Sequence, residues 1–231
     1  MTEENINLFL RIYDRCLRYG DTHPKYKNIY DQKTIKYIFE QNLRSDNLHM
    51  SMYVFSAEQN CWSREVLLYF VYRLNLSDRN TFTNLLFSVY NMTDANTSLF
   101  TFFSHDTIID MFQKVNTPFC SKDEFNDFDD LDNDLTVYRG IRSAPGNINR
   151  CGFSWTLKRK IAKDFSFQDN PTNTAFIVSG QVNKKDIFGY LTNRGEAEIV
   201  IAANLVKNKV LKKIEKSTEQ GINYIETIIT N

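Results

Sequence analysis

The chain has 231 residues, 42% apolar and 24% charged, enough for a packed core and too apolar for a largely disordered protein. Its 28 basic and 28 acidic side chains cancel, so net charge supplies no bulk attraction to nucleic acid or to an anionic membrane. Four cysteines stand far apart without a Cys-x-x-Cys pair, and only three histidines accompany them, so a zinc site lacks support and reduced thiols in a cytoplasmic protein are expected.

The amino terminus, Met1-Thr2-Glu3-Glu4-Asn5, is polar and acidic, unlike a secretory signal. The longest apolar run, Val66 to Tyr72, is too short to cross a bilayer, so no membrane partner is expected. Ile6, Phe9, Leu10, Tyr13 and Leu17 recur at three-and-four spacing and predict an amphipathic helix. Ser63 is placed to cap a buried helix over Arg64 to Phe70. Leu85 to Tyr90 and Leu99 to Phe103 are apolar enough to pack between these elements, with helix favoured. Ser104 is placed to cap a helix from Asp106 to Val115, where Asp106 suits the free amides. Ser104-His105-Asp106 therefore marks a helix start and not a hydrolase triad, which adjacent residues cannot build.

A dense acidic stretch, Asp123 to Asp134, reads as a solvated linker. Its Asp130-x-Asp132-x-Asp134 fails as a calcium loop, because Leu135 replaces the turn glycine and Ile141 the bidentate glutamate. From Thr136 the pattern turns to strands: Thr136 to Arg139, Thr174 to Ser179 and Glu198 to Ile201. Lys209 to Lys213 and Asn223 to Thr230 flank the polar turn Ser217 to Gly221 and predict a closing hairpin. The Lys207-Asn208-Lys209 and Lys212-Lys213 cluster reads as a solvated strand face. One helix interrupts the strands, with Thr156 as N-cap and Leu157 to Phe165 as its body. These patterns predict an α+β fold with a helical N-terminal region (1–122), an acidic linker (123–135) and a β-rich core (136–231), part of the helical region being able to join the core in one domain.

Three pieces of the β-rich part carry chemistry: Tyr138-Arg139-Gly140, Gly152-Phe153-Ser154-Trp155-Thr156 and Gly195-Glu196-Ala197-Glu198-Ile199-Val200. Arg139 ends a predicted strand, and a guanidinium is a planar fork suited to phosphate oxygens. Gly140 has no Cβ and permits close backbone approach to a ligand. Ser154 and Thr156, two apart, face one side of a strand, with Trp155 on the other. Glu198 opens an apolar strand and is rigidly presented; Glu196 sits in the turn before it. Each piece has a plainer reading: a solvated strand end for Arg139, a helix cap for Thr156, a charged strand edge for the two glutamates.

A cation, a hydroxyl and a carboxylate together suit the breaking of the nicotinamide–ribose bond of NAD. Departure of nicotinamide leaves an oxocarbenium-like ribose, which a carboxylate stabilises, while a cation holds the pyrophosphate. In this order, aromatic–Arg, Ser-x-Thr and Glu-x-Glu resemble the Arg–Ser–Glu class of mono-ADP-ribosyltransferases. The resemblance covers roughly Thr136 to Asn231. It implies a helical layer followed by a split mixed β-sheet core of the ADP-ribosyltransferase type, with NAD as co-substrate and no metal. It further implies that Arg139 grips NAD, the Gly140 backbone meets the nicotinamide amide and Ser154 and Thr156 help bind the cofactor. Ser154 would orient Glu198, the catalytic glutamate, and Glu196 would handle the acceptor. Tyr190 and Arg194, in the segment before the glutamates, become candidates for acceptor recognition.

Gly152 to Leu157 with the helix that follows, and Lys185 to Tyr190, look like the phage- and bacteria-associated branch of that class. Its members include toxins of toxin–antitoxin and anti-phage systems, some of which modify RNA or DNA. The resemblance thus implies a cytoplasmic effector acting on RNA first, or DNA, with an antitoxin as a further partner. Transfer to protein arginine, NAD hydrolysis without an acceptor, and a non-catalytic interaction protein of the same fold stand as alternatives.

Overall fold

A computed structural model of the chain describes residues 77–92, 104–115, 117–120, 125–192, 195–217 and 223–229, together with 3, 4, 7, 11, 37, 41, 68, 71–73 and 75. The chain divides into two compact units, Met1–Asn116 and Thr117–Asn231. The apolar stripe from Ile6 to Leu17 lies outside the described residues, as do Ser63, most of the helix predicted after it, and Leu99 to Phe103.

In the first unit, α1 (Arg79–Met92) starts where the Asp78 carboxylate accepts from the amides of Asn80 at 2.8 Å and Thr81 at 3.0 Å. The Thr81 hydroxyl, also bonded to Asp78, is the main cause holding that carboxyl below its ordinary pKa. Phe82, Leu85, Leu86 and Val89 recur on one face of α1 and are buried. The second helix, α2 (His105–Gln113), is capped as its sequence predicts, Ser104 Oγ accepting from the Thr107 amide at 3.1 Å. Phe112 of α2 meets Phe87 edge-on at 5.7 Å between centroids, and both rings are fully buried. Burying one such ring contributes about 2 kcal/mol.

The second unit is a seven-stranded sheet in the order β4-β5-β2-β1-β3-β6-β7. Its strands are β1 (Asp134–Ile141), β2 (Ser154–Thr156), β3 (Thr174–Asn183), β4 (Gly189–Leu191), β5 (Glu198–Val200), β6 (Lys207–Ser217) and β7 (Asn223–Ile229). All neighbouring strands pair antiparallel, so the sheet is not mixed; the only parallel contact among the described residues is an isolated bridge from Phe119 to Gly189. The predicted closing hairpin is present as β6 and β7, in register from Leu211 opposite Ile229 to Ser217 opposite Asn223.

Two predicted features are corrected. The acidic stretch is more than a linker, for it contains a short helix, α3 (Phe125–Asp129), whose Phe128 is 4% exposed in the core beside Val137, Trp155 and Ile199. Phe128 anchors it, with Leu131 packed against the same core. The helix after Ser154-Trp155-Thr156 is α4 (Arg159–Phe167), two residues later than predicted, with Lys158 at its N-cap. Thr156 is instead the last residue of β2, because its hydroxyl accepts the Lys158 amide at 3.0 Å and closes a turn before the helix.

Helix α4 lies on one face of β1 and β3, and an apolar cluster that includes Val137, Trp155, Val178 and Ile199 on the other. A Cβ at Gly140 of β1 would fall 1.8 Å from the Ala162 carbonyl oxygen of α4. The bare Cα therefore serves close helix packing, and on that side the approach to Gly140 is taken by protein and not by a ligand.

Candidate functional site

Arg139, Ser154 and Glu198 stand on three neighbouring strands, β1, β2 and β5. A row crosses these strands, with Tyr138 opposite Thr156 and Thr156 opposite Glu198. Directly opposed residues share a face, so Tyr138, Thr156 and Glu198 lie together. Ser154 is opposite Val200, one pleat along the same face and diagonal to Glu198. Both Ser154 and Glu198 are half-buried. Strands β1 and β2 meet at the single pair Tyr138 and Thr156, so beyond it Arg139 and Ser154 sit where the two strands part.

Strand alternation sends Arg139 to the other face, where its β3 partner Val178 belongs to the core. Its guanidinium turns towards β2, and Nη1 donates to the Ser154 main-chain oxygen. Gly152 makes room for it. That residue has φ +104°, and a Cβ there would stand 2.8 Å from Arg139 Nη2. Arg139 Nε is buried without a hydrogen-bond partner among the described residues. The structure thus joins Arg139 to Ser154 through main chain and sets Thr156 against Glu198, but it does not bring Arg139 and Glu198 onto one face.

Beside Arg139, burial pushes the Cys151 thiol pKa up, against the opposing pull of the Arg139 and Lys209 charges. Lys209 is not part of a solvated strand face as its sequence context predicts. Its ammonium turns in to donate to the Ala203 carbonyl oxygen at 3.0 Å and to that of Val206, and burial pushes its pKa down.

The loop before β5 is held from β2 and the turn after it. Thr156 Oγ1 donates to the Glu196 carbonyl oxygen at 2.5 Å, the Leu157 amide to that of Ala197 at 3.1 Å, and Lys158 Nζ to that of Gly195 at 2.8 Å. Thr156 is buried and its hydroxyl is engaged as donor and acceptor, so it supports the glutamate segment rather than a ligand. Ala197, between the two glutamates, has φ +47°.

Tyr190 is on β4 and not at a loop tip; it is 6% exposed, with its ring 5.8 Å from that of Phe128, so it serves the core and not acceptor recognition. Arg194 lies outside the described residues. Sequence reasoning missed Gly152, Cys151, Lys209 and Lys158. A glycine two residues before a candidate serine was a usable signal for Gly152, while the inward turn of Lys209 has no sequence signature.

Among the described residues, no group of three or more His, Cys, Asp or Glu is placed to hold a metal ion. None of their helices is long and apolar enough to cross a membrane. No family model, curated protein or solved structure matches the chain.

Proposed function

We propose that this chain is a mono-ADP-ribosyltransferase that cleaves NAD at the nicotinamide–ribose bond and transfers ADP-ribose to a macromolecule, RNA before DNA. The observation that supports it most is the adjacency of β1, β2 and β5, which sets the candidate cation, hydroxyl and carboxylate on consecutive strands of one sheet. In the reaction the C1′–N bond breaks and nicotinamide leaves with the electron pair. The acceptor's nucleophile bonds C1′ and loses its proton. Glu198 stabilises the cationic ribose, and Arg139 grips the pyrophosphate with its planar fork.

A polyanionic acceptor is favoured by the exposed ammonium of Lys158 just before α4, where the next two cations, Arg159 and Lys160, are paired with Glu226 and Asp164. Lys158 touches the loop that carries Glu196. An intracellular effector in toxin or anti-phage conflict is the role that fits this chemistry.

The test is incubation with labelled NAD and cell lysate, followed by separate nuclease and protease digestion. Nuclease-sensitive label is expected. Label released only by protease would move the acceptor to protein, and the absence of both label and nicotinamide release would overturn the proposal.

A further inference from the structure

Three consecutive donors meet three consecutive acceptors between β2 and β5. Thr156 bonds the carbonyl of Glu196 through its hydroxyl, Leu157 that of Ala197 through its amide, and Lys158 that of Gly195 through its ammonium. The segment they hold contains Ala197 at φ +47°, a left-handed conformation that an alanine keeps only where its surroundings over-determine it. Glu198 follows directly and opens β5 opposite Thr156.

We propose that Thr156 and Lys158 are positioning residues, which hold the 195–197 segment in its left-handed turn and so set the direction from which the Glu198 carboxylate meets the ribose; this rests on the NAD-cleaving function proposed above. Neither side chain touches NAD. Thr156 supplies the buried, inflexible point of the clamp and Lys158 an exposed one, so loss of Thr156 has the larger effect. The position of Glu198 matters in the transition state and little for binding NAD, so the defect belongs to turnover.

The experiment measures nicotinamide release by the full-length chain over a range of NAD concentrations. Thr156→Val, which keeps the shape and removes the hydroxyl, is expected to lower kcat about tenfold with KM within about twofold. Thr156→Ser is expected to restore most of it, and Lys158→Met to show a smaller fall that Lys158→Arg recovers. Hydrogen exchange at amides 195–198 reads the clamp directly and is expected to quicken in Thr156→Val while that of β3 amides is unchanged. Full kcat in Thr156→Val, or a loss shared by Thr156→Ser, overturns the positioning role while leaving NAD cleavage standing. No nicotinamide release by the unmodified chain overturns the proposed function and this role with it.

Discussion

The guanidinium of Arg139 donates through Nη1 to the main-chain oxygen of Ser154, which ties the candidate phosphate-gripping cation on β1 to the strand bearing the candidate serine. The bond is charge-assisted and part-buried, and such bonds contribute about 1.5–3 kcal/mol before any discount for solvent. Arg139→Lys keeps the charge but loses the planar fork. We expect KM for NAD to rise about tenfold or more and the melting temperature to fall. Calorimetry with and without NAD checks both: Arg139→Lys should melt lower and lose most of the NAD-dependent shift. A full shift in that variant would remove Arg139 from NAD binding.

Gly152 lies against that guanidinium. An added methyl group would stand 2.8 Å from Nη2 at a backbone angle, φ +104°, that alanine rarely adopts. Gly152→Ala should destabilise by about 1–3 kcal/mol and displace Arg139. Denaturant unfolding measures the first effect and NAD titration the second. At Gly140 the clash is with backbone, the Ala162 carbonyl, so Gly140→Ala should cost at least as much by pushing α4 off β1.

Ala197 tests strain in the glutamate loop. Its left-handed backbone, φ +47°, costs a non-glycine residue about 1–2 kcal/mol. Ala197→Gly should raise stability by up to about 1 kcal/mol, and Ala197→Val should lower it. Paired unfolding curves decide, and equal stability of all three forms would show the turn to be unstrained.

Glu226 gives the pH dependence. Its hydrogen bond from Arg159 is the main cause holding its carboxyl below the ordinary range, with the charges of Arg159 and Lys212 adding to it. A carboxylate depressed in the folded state binds fewer protons there than when unfolded. The stability it adds is therefore present above its ordinary pKa and is lost as pH falls through the lower folded value. Glu226→Gln should melt below the unmodified chain at neutral pH, and the gap should close in acid. A gap that persists in acid would assign the effect to packing.

The sequence makes the elements with strong local codes plain. The Ser104 cap works because a hydroxyl before Asp106 has one obvious use, and the closing hairpin follows from two strand-like runs about a polar turn. Three other features depend on partners distant along the chain. Thr156 reads as a helix cap from its neighbours, but its hydroxyl is held by a carbonyl 40 residues away. Tyr190 reads equally as a loop aromatic or a core strand residue because its strand is three residues long, and burial against Phe128 decides for the core. Phe128 sits in so acidic a stretch that its core role is masked. The adjacency of the strands bearing Arg139, Ser154 and Glu198 is long-range too, and the sheet order supplies it.

Glu198 is the most direct test. With purified full-length protein and NAD, nicotinamide release should fall by about two to three orders of magnitude in Glu198→Gln, which keeps the side chain's size and removes the charge that stabilises the ribose cation. Glu196→Gln should continue to release nicotinamide. Release by Glu198→Gln at the rate of the unmodified chain would contradict the assignment of this carboxylate and the enzyme built on it.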